Sequence, residues 1–359
     1  MPRLSVLDLV PVRSDQSTGD ALAASVTLAR VADRLGYHRY WVAEHHNMPA
    51  VAATNPPILI GLLASSTERI RIGSGGVMLP NHAPLVVAEQ FALLEAAFPG
   101  RIDLGIGRAP GTDPVTSWAL RHGAGGVDDE AVTRFPEYVD NVLAMMEPSG
   151  VGLALRGRQH VLKATPLARS VPQIWLLGSS DYSARLAAAK GMPYVFAHHF
   201  SGSGTAEALE LYRSSFQPSP VASAGGERSD RRQLSEPRTF LTVNASVAAT
   251  AEEAQRQALP QLLQMLALRT GQPLVAQRVV EDAETIVEAG LPAGHDGLLD
   301  AMRRRWVIGD PATARAELAS LAASYGVDEV MVHPVGGAHR GADPRTAPGR
   351  VETLELLAG

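Results

Sequence analysis

The chain alternates short apolar segments with longer helical patterns, and this alternation constrains its fold more than any other feature. In the helical patterns, apolar residues recur three and four positions apart, whereas the short apolar segments are typical of buried strands. Strands joined through helices pair in parallel, and their nearly continuous apolar character indicates that both faces of the sheet are covered. The eight predicted strands cover residues 4–10, 40–43, 70–78, 101–106, 174–177, 194–197, 239–247 and 328–332.

Eight such units close most economically into a (β/α)8 TIM barrel of the α/β class. An open doubly wound sheet is the alternative, because a pattern of strands does not by itself prove closure. The strands spread evenly over the chain, whereas a dinucleotide fold with a second domain would change its pattern midway. We therefore predict one barrel domain over residues 1–359, with an exposed polar insertion at about 217–238 and a lid-like insertion at about 270–304.

Charge and composition exclude several classes of function. The 32 Lys and Arg against 37 Asp and Glu give a net charge of −5, which excludes a basic nucleic-acid surface. No apolar run reaches the roughly 18 to 20 residues of a membrane span. The chain has no cysteine, so disulfides, thiolate ligands and a cysteine nucleophile are excluded. Because the N-terminus carries no secretory signal pattern, we expect a soluble, cytoplasmic protein.

Histidines follow several of the predicted strands. The carboxyl ends of barrel strands meet at one rim, where active sites are assembled, so an imidazole there is a candidate catalytic group. The alternatives are hydrogen-bonded capping of a strand end, packing in a polar core, or coincidence among 11 histidines. A metal site would need further ligands, and we predict none. The candidate catalytic imidazoles are one of His45 and His46, together with His198, His199 and His333. The candidate further metal ligands are His82, His198, His199 and His333.

Residues suited to a flat, phosphorylated ligand end the third, fourth and fifth strands. Three glycines within residues 73–76 indicate a bulge, a kink or the close approach of a flat ligand to bare backbone. Arg108 follows the fourth strand, where a guanidinium either binds phosphate or lies at the surface. The segment 178–183, GSSDYS, begins a helix and is either a phosphate cradle or an ordinary N-cap. Together with Arg108, the cradle is the favoured interpretation.

These segments together resemble the bacterial-luciferase-like family of flavin-dependent oxidoreductases. The resemblance runs from about residue 4 to 333, and its segments occur in the family's order. They are WVAEHH at 41–46, GSGGVMLPNHAPLVVAEQFALLEAAFPGRIDLGIGRAPG at 73–111, GSSDYSARLAAAKGMPYVFAHHF at 178–200 and VIGDPATARAELASLAASYGVDEVMVHP at 307–334.

The resemblance implies a barrel that binds reduced FMN, or in a related branch a deazaflavin, at this rim. His45 matches the family's essential histidine, whose implied role is proton management beside the flavin. Gly75 and Gly76 match a non-prolyl cis peptide bond against the flavin ring. One position departs from the pattern, since Ser179 stands where luciferase itself has a glutamate. The residues implied to hold the flavin phosphate are Arg108, Ser179, Ser180 and Ser183.

The primary hypothesis is a flavin-dependent monooxygenase that uses reduced FMN from a separate reductase to oxygenate a small apolar molecule. A deazaflavin-dependent hydride-transfer oxidoreductase and a non-catalytic flavin-binding barrel are the alternatives. The family also implies a homodimer. The predicted helix over residues 84–97 is unusually apolar, which fits burial against a partner subunit or against the barrel. Nothing in the sequence indicates the substrate or implies light emission.

Overall fold

The computed structural model of the chain describes residues 1–109, 113–121, 130–218 and 234–359. Eight parallel strands within these residues form a closed barrel, which confirms the predicted TIM-barrel fold. The strands are β1 (Arg3–Asp8), β2 (Arg39–Val42), β3 (Arg71–Met78), β4 (Ile102–Gly107), β5 (Val151–Leu155), β6 (Arg158–Leu162), β7 (Gln173–Gly178), β8 (Tyr194–Phe196), β9 (Thr239–Val247), β10 (Val307–Gly309) and β11 (Glu329–Pro334). The order around the barrel is β1, β2, β3, β4, β7, β8, β9 and β11, and β11 pairs with β1 to close it.

Helices cover the outside of the barrel, and many begin at a residue that satisfies their free N–H groups. At the first helix, for example, the Ser17 hydroxyl accepts from the backbone of Asp20 while the Asp20 carboxylate accepts from the backbone of Ser17. The helices are α1 (Thr18–Arg34), α2 (Pro56–Ser65), α3 (Pro84–Ala97), α4 (Pro114–Leu120), α5 (Glu130–Thr133), α6 (Phe135–Met145), α7 (Asp181–Ala189), α8 (His198–Ser201), α9 (Thr205–Ser214), α10 (Ala251–Arg269), α11 (Val280–Glu288), α12 (His295–Arg303), α13 (Pro311–Tyr325) and α14 (Pro348–Ala358).

The barrel interior contains a charged layer below an aromatic one. Arg39 is fully buried and forms ion pairs with Asp103 at 2.7 Å and Glu329 at 2.6 Å. Pairing and hydrogen bonding are what make such buried charges tolerable. An apolar layer lies against the guanidinium, with the rings of Trp41, Trp175 and Phe240 in edge-to-face contact. This aromatic layer separates the charged end of the barrel from the rim at which the site lies.

Glycines in β3 and β4 allow close packing within the barrel, and Gly73 leaves space for the Trp41 indole. A Cβ on Gly73 would lie 2.6 Å from Asp103 Cβ and 2.8 Å from Trp41 Nε1, while a Cβ on Gly105 would overlap the Ser74 carbonyl oxygen. The pairing of β3 with β4 shifts register between Ser74 and Val77, which agrees with the bulge or kink among the alternatives predicted from the glycines.

Two segments differ from the sequence prediction or extend it. The pattern predicts one helix over residues 129–146, but the structure breaks it into α5 and α6, and Pro136 lies in the first turn of α6, where its missing N–H costs nothing. The hairpin of β5 and β6 was not predicted. Its turn, at Arg156 and Gly157, has positive φ at both residues, the geometry of a two-residue hairpin turn.

The structure describes the two predicted insertions to different extents. Residues 219–233 of the polar insertion lie outside the described residues. The segment 270–304 contains α11 and α12, and its Gln277 pairs with Arg13 in an isolated bridge.

Candidate active site

A cavity of about 390 Å³ lies at the carboxyl ends of the barrel strands. The seven residues that the family resemblance implies for catalysis and flavin binding all line it. They come from the ends of β2, β3, β4 and β7, which are neighbours around the barrel. The structure therefore brings these residues together, while their roles remain a prediction. They are His45, Gly75, Gly76, Arg108, Ser179, Ser180 and Ser183.

Apolar side chains form the floor of the cavity, and a segment after α10 forms part of its outer wall. Trp41 and Met331 belong to the apolar layer of the barrel interior and also line the cavity. On the outer side, Met265 of α10 and Gln277 contribute. The backbone of Gln277 exchanges hydrogen bonds of 2.7 Å with Val12 and Ser14, which attaches this segment to the loop after β1.

Arg108 and the beginning of α7 form one end of the cavity. The Arg108 guanidinium carbon lies 4.0 Å from the centre of the Tyr182 ring, and no carboxylate among the described residues pairs with this arginine. Ser180 is the N-cap of α7, yet its side chain makes no capping hydrogen bond. The N–H groups of the first turn, the positive end of the helix dipole and the guanidinium thus meet at one place, an arrangement suited to an anion.

The turn between β7 and α7 is compact because of Gly178. A Cβ on Gly178 would overlap the hydroxyl of Ser183, which is buried beneath this turn. The one carboxylate of the first turn, Asp181, lies on the exposed side of α7 and faces Arg185 at 3.6 Å. Its charge is therefore directed along the helix surface.

Bare backbone forms the neighbouring wall at Gly75 and Gly76. The peptide bond between them is cis, as the family resemblance implied. A Cβ on Gly76 would lie 2.8 Å from the Gly105 carbonyl oxygen, and one on Gly75 would lie 3.0 Å from Leu7 Cδ1. Because no side chain fits there, the backbone is open to the close approach of a flat group.

His45 and His46 have different environments. Successive side chains of a strand point to opposite faces, but β2 ends at Val42, so this alternation does not determine where His45 and His46 point. His45 lines the cavity, and its backbone N–H donates to the Ala53 carbonyl at 2.8 Å. His46 instead contacts Glu44, with Nε2 2.8 Å from Oε1. For His46, the alternative interpretation of a strand-end hydrogen bond is therefore the observed one.

Glu44 is the buried centre of a hydrogen-bonded cluster that the sequence did not predict. Its Oε1 is also 2.7 Å from His82 Nε2, and its Oε2 accepts from the Met78 backbone N–H at 2.9 Å. Burial alone would raise the pKa of Glu44, but the hydrogen bonds from His46 and His82 and the one from Met78 lower it to about 2. Glu44 is thus an anion that orients the segment carrying His45.

The same three side chains include atoms of the types that bind metal ions. One ligand atom from each of Glu44, His46 and His82 lies within 4.8 Å of the others. The N···O distances of 2.7 and 2.8 Å are those of charge-assisted hydrogen bonds, which explain the geometry without an ion. Only the folded chain brings His82 from the β3 end to Glu44, so spacing along the sequence gave no indication of this group.

Two further histidines lie on the opposite side of the cavity. His199, at the start of α8, and His333, in β11, both line it, whereas His198 is hydrogen bonded to Thr205 at 2.8 Å. Burial, with the neighbouring His198 and His45, lowers the pKa of His199 to about 4. Burial, with His199 nearby, lowers the pKa of His333 to about 3. Both imidazoles are therefore neutral at pH 7.

Sequence reasoning missed the residues of β9 that hold these imidazoles. Thr242 Oγ1 is 2.9 Å from His199 Nδ1, and Asn244 Oδ1 is 2.8 Å from His333 Nδ1. Both side chains point to the same face of β9 and line the cavity. The available signal was their spacing, since two polar residues two positions apart in a buried apolar strand share one face.

Comparisons with known proteins identify the family. The model of the luciferase-like monooxygenase family matches residues 2–329, and the chain belongs to this family of oxidoreductases. YvbT of Bacillus subtilis (strain 168) is 41% identical over 355 residues, which are 99% of this chain and 95% of that protein. The luciferase-like monooxygenase of Escherichia coli (strain K12) is 38% identical over 330 residues, 92% of this chain and 90% of that protein.

A solved structure agrees with this assignment. The crystal structure of apo-MsnO8 superimposes with a TM-score of 0.80 at 32% identity, covering 100% of this chain and 98% of that one. Among the described residues, none of the helices has the length and apolar character that crossing a membrane requires.

Proposed function

We propose that this protein is a flavin-dependent monooxygenase that uses reduced FMN and dioxygen to oxygenate a small organic molecule. The observation that carries the proposal is the convergence of an anion site, a bare backbone wall and an imidazole in one cavity. The anion site is Arg108 with the uncapped start of α7, the wall is Gly75 with Gly76, and the imidazole is His45.

The residues fit a phosphorylated flavin in a definite arrangement. Arg108 and the serines of the β7–α7 turn would hold the phosphate, where Ser179, Ser180 and Ser183 offer hydroxyls and the helix offers N–H groups. The ring would lie against the peptide between Gly75 and Gly76, since any side chain there would collide with the barrel wall. The absence of a side-chain cap on α7 supports this assignment, because a capping serine would compete for the same N–H groups.

When bound, reduced flavin supplies two electrons to dioxygen, so that one oxygen atom enters the substrate and the other leaves as water. The protein's own residues would bind and orient the flavin and the substrate, and they would exclude water from the cavity. The apolar floor around Trp41 and Met331 keeps the reacting centre dry. His45 accepts or returns a proton at its imidazole, while the neighbouring Glu44 cluster holds its segment in place.

Relatives support a flavin or a deazaflavin as the cofactor. A Bacillus subtilis (strain 168) protein named N-acetyl-S-alkylcysteine monooxygenase is 40% identical over 202 residues, 56% of this chain and 58% of that protein. The fold is shared with the oxygenating constituent of 3,6-diketocamphane monooxygenase in complex with FMN, at 20% identity and a TM-score of 0.67. It is also shared with an F420-dependent secondary alcohol dehydrogenase, at 15% identity and a TM-score of 0.62.

A separate reductase and a second copy of the chain complete the proposal. The described residues form one barrel with its helices, and we propose that another protein delivers the reduced FMN. Exposed apolar side chains on α2 and α3 support a homodimer through these helices. Ile58 is 71% exposed and Leu93 59%, and Leu62 and Val86 are exposed as well.

Flavin titration tests the proposal directly. Binding of FMN or reduced FMN is measured by fluorescence, and we expect both to bind. Arg108→Ala should weaken this binding by about tenfold or more, since hydrogen bonds to charged groups contribute roughly 1.5–3 kcal/mol. Arg185→Ala, which removes an exposed arginine from α7, is the matched control. Equal effects of the two substitutions would refute the phosphate assignment.

Oxygen uptake then separates the possible chemistries. With reduced FMN bound, we expect the wild-type protein to consume oxygen and to form an oxygenated product. In His45→Ala, we expect oxygen consumption without this product, while flavin binding stays intact. Turnover without oxygen on a deazaflavin would instead identify a hydride-transfer enzyme. Flavin retention without any turnover would identify a non-catalytic barrel.

A further inference from the structure

The order of strands divides the cavity into two arcs. The residues assigned to the flavin come from β2, β3, β4 and β7, which are consecutive around the barrel. The next strands around the barrel, β8, β9 and β11, carry a separate set of polar side chains at their carboxyl ends, and β1 closes the circle between β11 and β2. We call this set the acceptor arc, and it consists of His199, Thr242, Asn244 and His333.

Thr242 determines which nitrogen of His199 carries the proton. The Thr242 hydroxyl has one hydrogen, which it donates to the Phe196 carbonyl at 3.2 Å. With its hydrogen assigned to that carbonyl, the oxygen is the acceptor in the 2.9 Å contact with His199 Nδ1, and this assigns the ring proton to Nδ1. In a neutral ring, Nε2 of His199 then has a lone pair and accepts hydrogen bonds.

Asn244 does the same for His333. Its Nδ2 donates to the His199 carbonyl at 2.7 Å, which leaves Oδ1 to face His333 Nδ1 at 2.8 Å. A flipped amide would put two oxygens against each other at the His199 carbonyl. His333 Nδ1 is therefore the donor, and Nε2 of His333 is also an acceptor.

We propose that the acceptor arc recognises the substrate, and that the substrate is an uncharged molecule with an apolar body and a hydroxyl or amide N–H donor. Two imidazoles that present Nε2 lone pairs match such a donor, and they repel a carboxylate, which has only acceptors. The low pKa values of both rings agree with this, because neither ring becomes a cation near neutral pH. The inference rests on the proposed function, since it assigns to the substrate the half of the cavity that the flavin leaves.

The surroundings of the acceptor arc support an uncharged ligand. Arg108 is the sole arginine or lysine among the described residues that line the cavity. It belongs to the residues assigned to the flavin at the ends of β2, β3, β4 and β7, which we call the flavin arc. The side chains near the acceptor arc are apolar or amides, including Phe200, Met265 and Gln264. A carboxylate placed there would lose its hydration without gaining a cation, which is costly.

Three matched probes test the proposal: 1-hexanol has the donor, hexyl methyl ether lacks it, and hexanoate carries a charge. Each is titrated calorimetrically into the protein with and without FMN. We expect hexanol to bind about tenfold or more tightly than the other two, because an unmatched buried acceptor is costly. Binding of the ether or of hexanoate as tight as that of hexanol, or no binding of hexanol, would overturn the proposal.

Variants of a positioning residue separate a specific effect from a structural one. Thr242→Val removes the acceptor for His199 Nδ1 at nearly constant volume, so the preference for hexanol over the ether should fall, whereas Thr242→Ser should retain it. In ¹⁵N-histidine NMR spectra at pH 7, both rings should show the tautomer protonated at Nδ1. Protonation at Nε2 in the wild-type protein would overturn the argument without any variant.

The FMN titration distinguishes this inference from the proposed function. If FMN binds and the hexanol preference is absent, the acceptor arc is misassigned while the flavin site stands. If FMN does not bind but the preference is present, the flavin assignment fails and the recognition of donors stands.

Discussion

Glu44 offers the sharpest test of how the segment that carries His45 is held. The structure gives this carboxyl a pKa of about 2 against an ordinary value of 4.5, through its hydrogen bonds to His46, His82 and the Met78 backbone. A group whose pKa is lower in the folded state stabilises the fold above its unfolded pKa, and this stabilisation is lost as the pH falls. The full difference corresponds to about 3 kcal/mol, at roughly 1.4 kcal/mol for each pH unit.

Somewhat less than half of this change lies between pH 5.5 and 3.5, and the rest lies at lower pH. Linkage from these two pKa values gives a loss of about 1.4 kcal/mol over that interval. The assay is urea unfolding of the wild-type protein and Glu44→Gln at several pH values, in which all other carboxyls cancel. We expect the advantage of the wild-type protein to shrink by about 1 to 1.5 kcal/mol from pH 5.5 to 3.5.

The control is Glu210→Gln, which changes an exposed glutamate of α9. Its difference from the wild-type protein should stay nearly constant with pH, because an exposed carboxylate gains little on folding. A wild-type advantage over Glu44→Gln that is independent of pH, or that grows as the pH falls, would refute the charge assignment.

Two further predictions concern the packing of the barrel and the attachment of α11. Gly105→Ala should destabilise the fold by more than about 3 kcal/mol, because its Cβ would overlap the Ser74 carbonyl oxygen. In the control Gly107→Ala, the Cβ meets nothing closer than 3.9 Å, so the cost should be under about 1 kcal/mol. Thermal melts of the two variants and the wild-type protein measure the difference. His339 links two glutamates across α10 and α11; its partial burial lowers its pKa, but the two hydrogen bonds outweigh this and raise it above 6.5. The stabilisation from His339 should be complete below pH 6.5 and disappear at higher pH, so the roughly 0.5 kcal/mol advantage of the wild-type protein over His339→Gln in urea should vanish in alkaline buffer.

The barrel could be predicted because its determinants are local and repeated. Strand and helix patterns are read from consecutive residues, and parallel pairing follows from the helical connections. The β5–β6 hairpin escaped prediction because its strands are short and mostly exposed, and β6, RQHVL, has no apolar run to pair with the apolar β5, VGLAL. Its turn, Arg156-Gly157, is a weaker signal than the Asn-Gly or Asp-Gly pairs that usually mark such turns.

The site could be predicted only in part, because position along a strand specifies the rim but not the direction of a side chain. His45 and Arg108 follow strand ends, so their arrival at one rim follows from the fold. The division between His45, which faces the cavity, and His46, which turns to Glu44, depends on the chain path after β2. The contact of His82 with Glu44 spans 38 positions and has no local signal.

The two arcs explain why the sequence indicates a cofactor more readily than a substrate. The flavin arc is built from glycines, a cap and an arginine, residue types whose backbone and charge requirements leave a pattern that can be read in order along the chain. The acceptor arc depends on tautomers, which the hydrogen-bond partners on β9 determine and which no single residue reveals. His199 and Thr242 are 43 positions apart, and a change at Thr242 alone could turn an acceptor into a donor. Substrate preference in such a barrel can therefore change through β9 while the flavin arc stays the same.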